Sequence, residues 1–247
     1  MKKLIFPTIA ALVLFAGGAC ARHDHTARVD QNGKVVSGDR AEALNRLSDA
    51  SKDLSQLTNA PDQGIPENVL AKAKCVAIVP DMVKGGFVFG AQHGKGVATC
   101  RTGNGWSSPA FFTLTGGTWG LQIGAESVDL VMLFMNDEGA RHLMDSNWKI
   151  GGEASVAAGP VGRHAEAGTD WKLNDQILTY SRTRGLFAGL DLNGANVRQD
   201  NDSTQAFYGR NYDFRTLLSG KVPSPPAAHE FLASIRQNFH EAVNATK

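Results

Sequence analysis

From Cys75 to Gln199 the chain sets short β-branched or aromatic runs between Gly, Asn and Asp, and this pattern restricts the fold more than any other feature. The runs are CVAIVP, GGFVFGAQ, GVATCR, SPAFFTL, TWGLQIG and VDLVMLFM. After a helix-like DEGARHLMDS come KIGGEASVAAGPVG, HAEAGTDWKL, ILTYSRT, GLFAGLDL and ANVRQ. Each is of strand length and bounded by turn formers. A flat sheet of about ten such strands exposes long edges, so the expected class is α+β, with a curled or partly closed antiparallel sheet. The frequent glycines suit bends and bulges in such a sheet.

Helices flank this region. Ala43, Leu47, Ala50, Leu54 and Leu57 recur at steps of four and three, Asp39 with Glu42 reads as a capping box, and Pro61 closes the stretch. The apolar stripe faces a core, or alternatively a membrane or a partner helix. Pro66 opens a shorter helix through PENVLAKAK, whose Lys72 and Lys74 lie near its C-terminal end and suit the helix dipole. A helical stretch is expected from about Asp202 through QAFYGRNYDFRTLLSG. After a proline linker comes a final helix, on which Phe231, Ile235 and Phe239 form a docking stripe.

The N-terminus reads as a secretory signal over residues 1–19: Met1-Lys2-Lys3, an apolar run, then small residues. Cys20 in AGGAC has the shape of a bacterial lipoprotein cleavage site, with ordinary cleavage nearby as the alternative. Residues 20–38 read as a flexible tether and 39–247 as one domain. The His23-Asp24-His25 triplet lacks further ligands and reads as solvated, so no metal and no cofactor is expected. Losing Lys2 and Lys3 takes the formal charge from +1 to −1, which leaves no electrostatic footprint for nucleic acid. Cys75 and Cys100 are an even pair that could close a disulfide in an oxidising compartment; two buried free thiols are the alternative.

KGGFVFGAQHGKGVATCR, residues 84–101, invites a phosphate-loop reading that its spacing defeats. Gly94-Lys95 is followed by Gly96 instead of Ser or Thr, and Phe89 stands where a Walker loop needs its first glycine. The dinucleotide fingerprint fails as well, because Thr99 replaces the third glycine. The expectation is a hairpin turned at His93-Gly94, with Lys95 at its tip. Neither a G-x-S-x-G elbow nor an H-E-x-x-H helix occurs, and Glu126 and Asp129 are spaced for opposite faces of a strand. No catalytic residue is assigned.

KAKCVAIVPDMVKGGFVFGAQHGKGVATCR, GWSSPAFFTLTGGTWGLQIGAESVDLVMLFMN, GGEASVAAGPVGR and YSRTRGLFAGLDLNG together resemble the SYLF domain, over roughly Leu44 to Tyr212. The resemblance implies a lipid-binding module for anionic phospholipids; some members bind actin through basic residues early in the domain. It carries a headgroup role to Lys72, Lys74 and Lys84, to which the expected hairpin tip adds Lys95. A secreted bacterial chain meets no actin unless delivered to a host. The expectation is therefore an outer-membrane lipoprotein of the cell envelope, anchored at Cys20, that binds anionic phospholipid without turnover. The first helix offers an insertion face. The alternatives are a periplasmic structural or protein-interaction module whose lipid affinity is incidental, and an unrecognised envelope hydrolase.

Overall fold

The computed structural model describes residues 28–29, 35–36, 38–60, 64–86, 89–119, 124–162, 176–183, 186–187 and 190–245. The signal segment, Cys20, the His23-Asp24-His25 triplet and HAEAGTDWKL lie outside them. Within the segment expected to be a tether, β1 (Arg28–Val29) pairs antiparallel with β2 (Val35–Val36).

The main sheet is built on four long strands, β3 (Cys75–Gly86), β4 (Phe89–Thr102), β6 (Ala110–Trp119) and β7 (Gly124–Phe134). Shorter strands complete it: β5 (Gly105–Trp106), β8 (Asn147–Lys149), β9 (Val156–Ala158), β10 (Ile177–Thr183), β11 (Leu186–Phe187) and β12 (Asn196–Gln199). The order is β11-β10-β7-β3-β4-β6-β12-β8, with β5 on β4 and β9 parallel on β10. The sheet curls strongly into a half-barrel with helices at both ends of the chain, in keeping with the expected class.

Both faces of this sheet are covered. On β3, Val76 and Ile78 join one core and Cys75, Ala77 and Val79 the other; on β7, Val131 and Leu133 oppose Leu130, Met132 and Phe134. Burial on two sides explains why VDLVMLFM reads as a continuous apolar run. The core that takes Cys75, Ala77 and Val79 is filled from α3 (Asp137–Leu143) and α5 (Phe214–Leu218), and the core that takes Val76 and Ile78 from α1 (Gly38–Thr58), α2 (Glu67–Lys72) and α6 (His229–Ala245). All five residues of the α1 stripe are buried, which removes this face as a membrane-insertion surface. Phe231, Ile235 and Phe239 of α6 are buried likewise, so their docking is intramolecular.

Three local expectations need correction. His93-Gly94 is no turn: β4 runs straight through it, β3 ending at Gly86 and β4 beginning at Phe89. Glycine is needed there for close packing, since a Cβ at Gly94 would lie 2.4 Å from Val79 Cγ1 and one at Gly96 2.3 Å from Phe112 Cζ. The stretch from Asp202 is two helices, α4 (Asn201–Tyr208) and α5, because Gly209 at φ +75° ends the first and the Asp213 carboxylate caps the second. KIGGEASVAAGPVG likewise divides between β8 and β9.

Candidate interaction surface on the first helix

A second stripe runs along α1 one residue out of step with the apolar one: Glu42, Arg46, Asp49, Asp53 and Gln56, again at steps of four and three. Residues so spaced share a helix face. Here that face meets the rim of the sheet.

At its N-terminal end Arg46 is 5% exposed, and its guanidinium donates to Asp200 Oδ2 at 3.1 Å, Ser203 Oγ at 3.1 Å and Glu42 Oε1 at 3.1 Å. Asp200 also accepts from the Ser203 amide at 3.0 Å, capping α4. Burial works to raise the Asp200 pKa, but the bonds from Ser203 and the charge of Arg46 hold it below the usual carboxylate value. Glu42 behaves the same way: burial opposes ionisation, and Lys95 and Arg46 win.

Toward the C-terminal end the balance reverses. The register of β3 slips between Val79 and Met82 against β7, a β-bulge that holds Asp81 at φ +48°. The Asp81 amide donates to Asp129 Oδ1 at 3.4 Å, and Ser127 Oγ donates to Asp81 Oδ1 at 3.1 Å. Arg182 of β10 bonds Asp129 Oδ2 at 3.0 Å and also Gln56. Asp53 faces this group from α1, is 9% exposed, and its Oδ2 has no hydrogen-bond partner. Burial first, and then the charges of Asp129, Asp81 and Asp49, push its pKa up to about 7 against the opposing pull of Arg182. A groove of about 330 Å³ runs along the seam, lined among others by Asp49, Pro80, Asp81, Val83, His93 and Lys95.

The four lysines do not converge. Lys72 ends α2 and Lys74 immediately precedes β3, whereas Lys84 lies near the far end of that strand, roughly 30 Å along it. Lys95 pairs with Glu42 at 2.7 Å and Lys74 with Asp137 at 3.2 Å. Cys75 and Cys100 are directly opposed in the β3–β4 register and joined by a disulfide, Sγ–Sγ 2.02 Å. Glu126 and Asp129 both lie within β7. Among the described residues no group of His, Cys, Asp or Glu is arranged to hold a metal ion, and no helix is long and apolar enough to cross a membrane. Sequence reasoning missed Arg46, Asp53, Asp81 and Arg182. The available signal was the second α1 stripe, which places charge beside Leu47 and Leu54.

A family model described as Ysc84, Las17-binding protein actin regulator, matches residues 115–238. The chain belongs to this family. It is 32% identical over 214 residues to SH3 domain-containing YSC84-like protein 1 of Rattus norvegicus, an alignment covering 85% of the chain and 62% of that relative. Protein YSC84 of Saccharomyces cerevisiae is 36% identical over 175 residues, covering 69% of the chain and 37% of the relative. The chain thus spans less than two thirds of the length of these relatives. The Ysc84 and SYLF names refer to one family, so the resemblance read from the sequence stands. The expected partners need correction. Phospholipid was expected with actin set aside, whereas the family description names a protein, Las17, and actin regulation, and a further yeast relative is LAS seventeen-binding protein 3.

Proposed function

We propose that this chain is a protein-interaction module without turnover, whose partner is a protein of the actin-regulatory kind named for its Ysc84 relatives. The family match carries the reading. The packing of the chain supports it: the apolar faces of α1 and α6 are spent on the core, which leaves polar seams such as the α1 groove for recognition. Any affinity of Lys72, Lys74, Lys84 and Lys95 for phospholipid headgroups is incidental in this reading, since two of the four are already ion-paired. Anchoring through Cys20 in a cell envelope is part of the proposal and rests on AGGAC alone. Mass measurement of the mature N-terminus tests it.

The function is tested by pelleting the purified chain with filamentous actin and, separately, capturing it on an immobilised Las17-type protein. Saturable binding in either arm is expected. Absence of binding in both, at concentrations where the chain is monodisperse and folded, overturns the reading. A parallel arm with phosphatidylglycerol vesicles and the fourfold Lys→Ala variant measures the incidental affinity; vesicle binding stronger than any protein binding also counts against the reading.

A further inference from the structure

We propose that Asn104, in the turn between β4 and β5, is a site of non-enzymatic covalent modification, at which the side-chain amide is lost and the main chain is rerouted through isoaspartate. The conversion loosens the contacts by which this hairpin holds α2 and α6. The inference is independent of the interaction-module reading.

The chain contains three Asn-Gly pairs, Asn32-Gly33, Asn104-Gly105 and Asn193-Gly194, of which the first lies outside the described residues. Such a pair sets a carboxamide carbon beside a backbone nitrogen whose residue has no Cβ to block the approach. The fold separates the other two. Asn193 is held: its Nδ2 and its backbone amide both donate to Asp191 Oδ1 at 2.9 Å, and the Gly194 amide that would attack donates to the Ile150 carbonyl at 2.8 Å. Its Oδ1 also lies so near Gly151 that a Cβ there would be 2.3 Å away. Asn104 is exposed, and its side chain has no hydrogen-bond partner among the described residues. A Cβ added to Gly103 or Gly105 would meet nothing within 4 Å, so the carboxamide has room to swing over the Gly105 nitrogen. Only the closing rung of the two-residue strand β5, Thr102 with Gly105, restrains that nitrogen.

The chemistry needs water alone. The Gly105 nitrogen gives its proton to hydroxide and attacks Asn104 Cγ. The N–Cγ bond forms as the Cγ–Nδ2 bond breaks, and the departing nitrogen takes a proton from water and leaves as ammonia. Water then opens the five-membered ring. Cleavage at the main-chain carbonyl leaves isoaspartate, with an added methylene in the backbone; cleavage at the side-chain carbonyl leaves aspartate.

The place of the turn gives the conversion its effect. On the next rung Arg101 pairs with Trp106. The Arg101 guanidinium lies over the Trp106 ring at 4.8 Å and the Phe239 ring of α6 at 5.4 Å, and its Nε donates to the Ala73 carbonyl at the end of α2 at 2.9 Å. Trp106 meets Phe239 edge to face at 4.7 Å. Lengthening the main chain at Asn104 shifts Trp106 against Arg101, and the two cannot then keep all of these contacts.

The test is peptide mapping by mass spectrometry of the full chain, disulfide intact, after warming in mildly alkaline buffer. Exchange of the Asn104 amide for a carboxyl is expected, with isoaspartate as the major product. Asn193 should convert about tenfold more slowly or less, since roughly one net hydrogen bond must be given up before it reacts. In denaturant the two sites should convert at similar rates. Asn104→Gln should abolish conversion at this position. The isoaspartate form, separated by its added charge, should show faster hydrogen exchange in α6 than Asn104→Asp, which carries the same charge on an ordinary backbone. In the folded chain, Asn193 converting as fast as Asn104, or Asn104 surviving unchanged while it converts in denaturant, would overturn the site. So would one and the same ratio of the two rates in both states. Exchange in α6 no faster than in Asn104→Asp overturns the link to the helices.

Discussion

A carboxyl group buried among other acids responds to pH in the opposite sense from one held by a cation, and α1 meets both kinds. Asp53 has a folded pKa of about 7, above its ordinary 3.8, so the folded state holds its proton more tightly than the unfolded chain does. Its contribution is therefore most favourable on the acid side, declines as pH rises from about 4 to about 7, and is level beyond. After allowance for solvent screening the decline should be about 2 kcal/mol. Asp53→Asn should accordingly be more stable than wild type at about pH 8, and the advantage should shrink on acidification. Urea unfolding across that range checks it; a pH-independent difference between the two proteins would contradict the assignment. Asp200 has the reverse sign, since its pKa is lowered: its contribution is present above the ordinary carboxylate range and is lost as pH falls through the folded value. Arg46→Ala leaves that carboxylate buried without its cation and should cost about 3–5 kcal/mol, measured as a lower urea midpoint with an unchanged m-value.

At the scale of elements, β3 and β4 depend on residues that a local reading cannot weigh. Gly94→Ala places a methyl against Val79 and Met82 and should destabilise by about 1–3 kcal/mol, visible as a lowered Tm, with the disulfide still formed. Replacing both Cys75 and Cys100 by serine should cost about 3 kcal/mol, since the crosslink closes a separation of 25 residues. The apolar stripe of α1 and the stripe on α6 were legible, because helical periodicity is local and Leu47, Leu54 and Phe231 fall on it. The HG turn was misread for the complementary reason. Glycines beside polar residues produce the same string whether they turn a hairpin or admit a neighbouring side chain, and the neighbours that decide, Val79 and Phe112, lie elsewhere in the chain. The site was the least legible part. Asp81 gains its position from a bulge, and Asp53 gains its proton affinity from burial first and then from Asp129, more than seventy residues away.

For the whole molecule, the sheet order β7-β3-β4-β6 means that the consecutive strands β6 and β7 do not pair with each other; the β3–β4 hairpin lies between them. Residues 115–238, which carry the family match, therefore lack the partners that most of β7 and the end of β6 require. A fragment of that span should show no cooperative thermal transition by circular dichroism, whereas 38–247 should show one. A strand was legible in VDLVMLFM, but neither its burial on both faces nor the helices that cover each face were, since α1, α2 and α6 gather on one side from opposite ends of the sequence. The interleaved strand order also carries a consequence for biosynthesis. The β3–β4 hairpin leaves the ribosome before either strand that must flank it, so both of its docking edges precede the strands that pair with them. A chain whose synthesis order was permuted to deliver β6 and β7 first would have to hold two unpaired edges apart while it waited, and should accumulate as aggregate instead.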